Sequence, residues 1–205
     1  MYDFNVYPLK SAQEGDVEAQ YQLGCAYRQG RKTKRDAAEA AVWFHKAADE
    51  GHPEAQFNLG EMYSRGIGVE KDEEIGFYWY LKGGENGDSS HQYFVGELYR
   101  LGQGTEKDMT KAAKWYRLAS LGGLGFAQEL AGKCYLHGNG VPKDEIEAYA
   151  YFNLAAVQHE SARKELEELE EILPTTARLK GQQRSRQIQK EIEERHANKT
   201  KKSSR

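Results

Sequence analysis

Few features that mark a secreted, membrane-borne or metal-dependent chain occur in these 205 residues. There are two cysteines, Cys25 and Cys134, too few for a disulfide framework, so free thiols in a reducing compartment are expected. No run of 18 apolar residues occurs, and the opening MYDFNVYPLKSAQEGD lacks a basic stretch followed by an apolar one. No membrane span and no secretory signal are therefore expected, and the expected location is cytoplasmic. The six histidines make no H-E-x-x-H or Cys/His metal spacing. Neither a Walker A motif nor G-x-S-x-G is present, and Gly66-x-Gly68 follows a helical pattern rather than a strand, so it is no dinucleotide fingerprint. Ser161-Ala-Arg-Lys164 matches the S-x-x-K of penicillin-interacting serine enzymes, but the partner motifs S-D-N and K-T-G are missing. No enzyme, no metal and no cofactor are expected, with a β-lactamase-like serine hydrolase the remote alternative.

What the chain has is glycine, 21 of them, and they fall on a grid. Shifted by 36 residues, Gly24, Gly60, Gly96 and Gly132 coincide, as do Tyr27, Tyr63, Tyr99 and Tyr135. Gly30, Gly66, Gly102 and Gly138 follow, then Asp36, Asp72, Asp108 and Asp144, then the aromatic set Trp43, Trp79, Trp115 and Tyr151. Five columns in register over four copies mean stacked supersecondary units rather than one closed core.

Each unit reads as two helices. In helix A, Ala19, Leu23 and Tyr27 recur at i, i+4 and i+8; in helix B, Ala40, Trp43, Phe44, Ala47 and Ala48 make a wider stripe. The spacing predicts A helices over 17–29, 53–65, 89–101 and 125–137, and B helices over 36–50, 72–86, 108–122 and 144–158. Glycine inside helix A costs about 1 kcal/mol against alanine, so its return in every copy implies close approach of a neighbour. The Trp43 column is the expected partner. Glycine after the helix A tyrosine is placed for a left-handed C-cap, and the recurrent aspartate for the positive end of helix B. Residues 1–15 obey the same grid and read as an N-terminal capping half repeat; 16–158 hold four repeats.

The run Ala55, Leu59, Gly60, Tyr63, Gly66, Gly68, Val69, Asp72, Trp79, Tyr80 and Gly87 resembles the Sel1-like repeat, a subtype of the tetratricopeptide-like solenoids. The 36-residue period favours this subtype over the 34-residue tetratricopeptide repeat. The resemblance implies an all-α, right-handed α/α superhelical solenoid whose members chiefly serve as adaptors and scaffolds. A solenoid would also hold Cys25 and Cys134 in its first and fourth repeats, too far apart to bridge.

Departures from the pattern are local. Repeat one has Arg31-Lys32-Thr33-Lys34-Arg35 where the second glycine and valine belong; repeat two has Gly76, Gly83 and Gly84 at alanine positions, which predicts a loose second B helix. Residues 159–173, with Leu166, Leu169 and Leu173 on one face, read as a C-terminal capping helix. Residues 174–205 read as a basic helix to about Arg195 followed by a disordered tail. This last segment has ten Lys/Arg against three Asp/Glu, a net of +7, while the preceding 173 residues hold 19 basic and 29 acidic groups, a net of −10. Neither basic stretch has interleaved aromatics, so nucleic acid is not the expected partner.

By the tetratricopeptide resemblance, helix A lines a concave groove. Its inward column gives Glu18, Tyr21 and Arg28, then Glu54, Phe57 and Glu61, then Tyr93, Glu97 and Arg100, then Glu129 and Lys133. Spacings of 3, 7 and 10 put each set on one helical face. Rings among charges suit capture of a protein or peptide, although Tyr21, Phe57 and Tyr93 also suit packing between repeats. The expected function is a non-catalytic adaptor, with an immunity or inhibitor protein that wraps a toxic enzyme as the alternative; the sequence leaves oligomeric state and partner open.

Overall fold

The structure, a computed structural model, describes residues 7–31 and 33–203, and these residues form helices and no strand. In chain order the elements are α1 (Tyr7–Gln13), α2 (Val17–Gln29), α3 (Ala37–Asp49), α4 (Pro53–Arg65), α5 (Glu73–Asn86) and α6 (Ser89–Leu101). There follow α7 (Met109–Ser120), α8 (Gly125–His137), α9 (Glu145–Ala155), α10 (Glu160–Ile172) and α11 (Thr175–Ser203). The four A helices are α2, α4, α6 and α8, with the bounds the spacing predicts. The B helices α3, α5, α7 and α9 each start one residue later than expected and end at or before the expected limit. Residue 32, in the aberrant loop of repeat one, lies outside the described residues.

Two columns of the grid define each A-to-B turn. The backbone N–H of Asp36, Asp72, Asp108 and Asp144 donates to the carbonyl of Tyr27, Tyr63, Tyr99 and Tyr135 at 2.9–3.0 Å. Each aspartate then N-caps its B helix: Asp108 Oδ1 accepts from Lys111 N at 2.9 Å, and Asp72 Oδ1 from both Glu74 N and Ile75 N. Gly66 ends α4 at φ 68°, a left-handed conformation that a side chain would resist.

The helix A glycines do meet large rings, but not the expected column. A Cβ on Gly60 would lie 2.5 Å from Cδ1 of Tyr80, and one on Gly96 2.7 Å from Cε1 of Tyr116; Gly24 and Gly132 face Phe44 and Phe152 in the same way. The partner is the residue after the tryptophan. Successive helical residues point about 100° apart, so only one of an adjacent pair can face the glycine. Trp43 turns instead toward Ala12, Ala19 and Leu23.

The glycines of α5 have a packing role rather than a loosening one. A Cβ at Gly76 would meet Ser64 Oγ at 2.2 Å, and one at Gly83 the Pro53 carbonyl at 3.2 Å, so their absence lets the α5 backbone close onto α4.

The described residues divide into two compact units, one within Met1–Gly87 plus Leu101–Lys107, the other within Asp88–Arg100 plus Asp108–Arg205. The first has a core of Phe44, Leu59, Met62 and Trp79 among alanines of α3 and α4. A column missed in the sequence braces it: the buried Gln20 and Gln56 donate through Nε2 to the carbonyls of Ala12 and Ala48. Gln92 and Gln128 continue that column, so a glutamine on the 36-residue grid was the signal.

In the second unit Phe152, Leu169 and Leu173 centre one cluster, and Tyr151, Ile188 and Ile192 another. Helix α10 lies where the capping helix is expected. Helix α11 departs from expectation, running to Ser203 rather than ending near Arg195. Its distal part is tied down: Arg195 donates to the Leu118 carbonyl at 2.8 Å, and His196 Nε2 to the Gly122 carbonyl at 3.1 Å. Among the described residues no helix is long and apolar enough to cross a membrane.

Candidate partner-binding faces

Helices α2 and α4 present the first set of candidate residues. Arg28 in α2 reaches across to α4 and donates to both Asn58 Oδ1 and Glu61 Oε2, while Arg65 donates to the other Glu61 oxygen at 2.9 Å. At the opposite end of the pair, His52 N-caps α4 through Nδ1, which accepts from Ala55 N at 3.4 Å. Its Nε2 lies 3.2 Å from Glu18 Oε2 and its Nδ1 3.2 Å from Glu54 Oε2. The imidazole stacks on Tyr21 with centroids 4.4 Å apart. Hydrogen bonds from Gln22 and His52 hold the Glu18 carboxyl below its usual pKa.

The rings at this face are half-buried, not free-standing. Tyr21 tilts against Phe44 at 6.0 Å and Phe57 packs edge-on against Tyr80 at 4.8 Å. Burial pushes Tyr21 up to about 12, and Tyr80 likewise. The rings therefore both pack between helices and line the face. Position 25 of this column, Cys25, has its thiol pushed up by burial.

In the second unit the remaining candidates form two paired sites. Glu97 binds Arg100 through both oxygens, the closest contact 2.6 Å, and accepts from the buried hydroxyl of Tyr116. Tyr93 tilts over that same ring at 6.2 Å. Burial alone would raise Glu97, but the bonds from Arg100 and Tyr116 outweigh it and hold the carboxyl below its usual value. Glu129, buried in α8, accepts from Lys133 at 2.6 Å and from Ser161 Oγ at 2.8 Å. Burial again raises and these bonds lower its pKa, with a net depression. The Ser161 hydroxyl is thus a donor to a structural carboxylate.

Every candidate column residue takes part in these clusters. Reasoning from the sequence missed the groups that tie them together: His52, Asn58, Arg65, Tyr116 and Ser161. His52 occupies the N-cap position that Asp16 and Asp88 hold in neighbouring repeats, and that register was the available signal.

Sequence comparison matches the Sel1 repeat at residues 17–52, 53–88, 92–124 and 125–158, well over half of the chain. The chain belongs to the Sel1 repeat family. Among solved structures, a Sel1 repeat protein from Oxalobacter formigenes shares 31% identity at a TM-score of 0.73, covering 80% of this chain and 48% of that one. A protective antigen present in uropathogenic Escherichia coli strains, displaying an SLR fold, shares 27% identity at a TM-score of 0.72, covering 97% of this chain and 43% of that one. The chain spans less than half the length of either protein. A comparison with curated proteins finds no match. Sel1 repeats typically mediate protein–protein interaction, and proteins built from them are generally non-catalytic scaffolds.

Proposed function

We propose that the chain is a protein-interaction adaptor and that the A-helix face within each of its two units holds a protein or peptide partner. The observation that supports this is the arrangement at α2 and α4. Glu18 and Glu54 keep side chains 62% and 52% exposed on either side of His52, itself stacked on the half-buried Tyr21. Fixed rings beside open carboxylates suit a partner segment that lays a cationic side chain between the acids and an apolar one on the rings. The second unit offers Arg100 and Lys133, each partly exposed and oriented by its own glutamate. Pre-ordered charges lower the side-chain ordering cost on binding.

Affinity copurification with the wild-type chain and with a Glu18→Lys/Glu54→Lys variant tests the proposal. Partners retained by the first and lost by the second support it; an identical set on both contradicts it. Several partners indicate an adaptor, whereas one tight partner indicates an immunity or inhibitor role.

A further inference from the structure

The B helices carry a second apolar surface, and the chain itself shows what kind of element covers such a surface. In the second unit α11 lies along α9. Ile188 and Ile192 are buried with Ala150 and Tyr151, with Leu154 packed alongside. Asn153 donates to Ser185 Oγ at 2.9 Å, and Arg184 Nε donates to Glu147 Oε1 at 2.6 Å. At Gly181 the backbone comes so near Tyr149 that a Cβ would lie 2.4 Å from Cδ1. This helix docks through two aliphatic residues four apart, small residues on the same stripe, and one arginine a turn before the first aliphatic.

At offsets of whole repeats, Glu147 and Ala150 correspond to Glu39 and Val42 of α3 and to Ile75 and Tyr78 of α5, all in the first unit. Ala150 is fully buried, whereas Val42, Ile75 and Tyr78 are 47%, 41% and 50% exposed. His45 of α3 meets Trp79 of α5 at 5.5 Å, so the two helices are neighbours, and by the 36-residue register Val42 and Tyr78 hold equivalent positions with Ile75 one turn before Tyr78. Three large apolar side chains in this register exceed the single scattered ones that a surface normally shows. Glu39 stands where Glu147 holds Arg184; one of its oxygens accepts from Trp43 Nε1, and a carboxylate can accept an arginine in addition.

We propose that the α3–α5 face of the first unit docks an amphipathic α-helix of the α11 type, supplied by another protein. The apolar side chains call for an aliphatic pair at i and i+4, and Glu39 calls for an arginine one turn earlier. The aliphatic pair of α11 is consumed by α9, so the occupant is not this chain's own C-terminal helix, nor that of a second copy. This face uses B helices and is independent of the A-helix reading above.

The probe is a fluorescein-labelled synthetic peptide of residues 180–198, titrated into the full-length chain and followed by anisotropy. Saturable micromolar binding is expected, weakened at least tenfold by Val42→Glu with Tyr78→Glu in the protein, or by Ile188→Asp with Ile192→Asp in the peptide. Glu39→Gln should flatten its salt dependence. The altered positions are exposed, so the melting temperature should not move; if the double variant unfolds, the single Tyr78→Arg replaces it. Absence of saturable binding overturns the proposal. So does binding that survives the first-unit substitutions, because the peptide is then exchanging with α11 on α9.

Discussion

Gly60 of α4 and Tyr80 of α5 are in such close contact that a Cβ at position 60 would stand 2.5 Å from the Tyr80 ring. Tyr80 is 6% exposed and packs edge-on against Phe57 at 4.8 Å, so the ring has little room to retreat. Gly60→Ala sets a helix-propensity gain of about 1 kcal/mol against an overpacking cost of about 1–3 kcal/mol. A net loss of stability is expected in urea unfolding, with part of it recovered by a second substitution, Tyr80→Leu. A more stable Gly60→Ala would show that the ring yields.

Trp79 belongs to the first-unit core and is nearly buried. Trp79→Ala should cost about 3–5 kcal/mol, the range for deleting a large buried aromatic. Because repeats couple mainly to their neighbours, the loss should broaden or split the thermal transition. Calorimetry reads both effects.

Acid should weaken the second unit through Glu97 and Glu129. Both carboxyls have folded pKa values depressed below the ordinary 4.5, so each contributes stability that is present above that value. The contribution is lost as pH falls through the folded pKa. Urea midpoints measured from pH 7 to pH 3 should therefore fall most steeply below about pH 4.5. In Glu97→Gln the fall should be shallower, since one titrating group has gone.

Helix α11 is held by a thin stripe, so it is sensitive to single changes. Ile188 is fully buried against α9, and Ile188→Ala should cost about 2–5 kcal/mol locally. Hydrogen exchange should quicken through residues 184–203 while α4 and α5 stay protected.

The fold was legible because its determinants are periodic. The Tyr–Asp backbone bond, the left-handed C-cap and the glycine–ring contact recur every 36 residues, and each needs one residue type at one place. What the sequence obscured has physical causes. The Trp43 and Phe44 columns are adjacent and both aromatic, so composition could not say which one faces the glycine. The docking of helix α11 was not visible in its composition because its stripe uses Gly181 and Ser185, which pack by being small rather than apolar. In the candidate faces the column residues were readable by register, but their pairing was not. Arg28 meets Glu61 between helices 33 residues apart, and that depends on how neighbouring repeats stack.

The A-helix binding claim is tested most directly by placing a photo-crosslinking amino acid at Glu54 or Gln22 on the first-unit A-helix face, and at Glu168 of α10 as a control. Irradiation in cells of the source organism should join a protein partner at positions 54 and 22 and leave position 168 without adduct. Adducts at position 168 with none at 54 or 22 would contradict the claim.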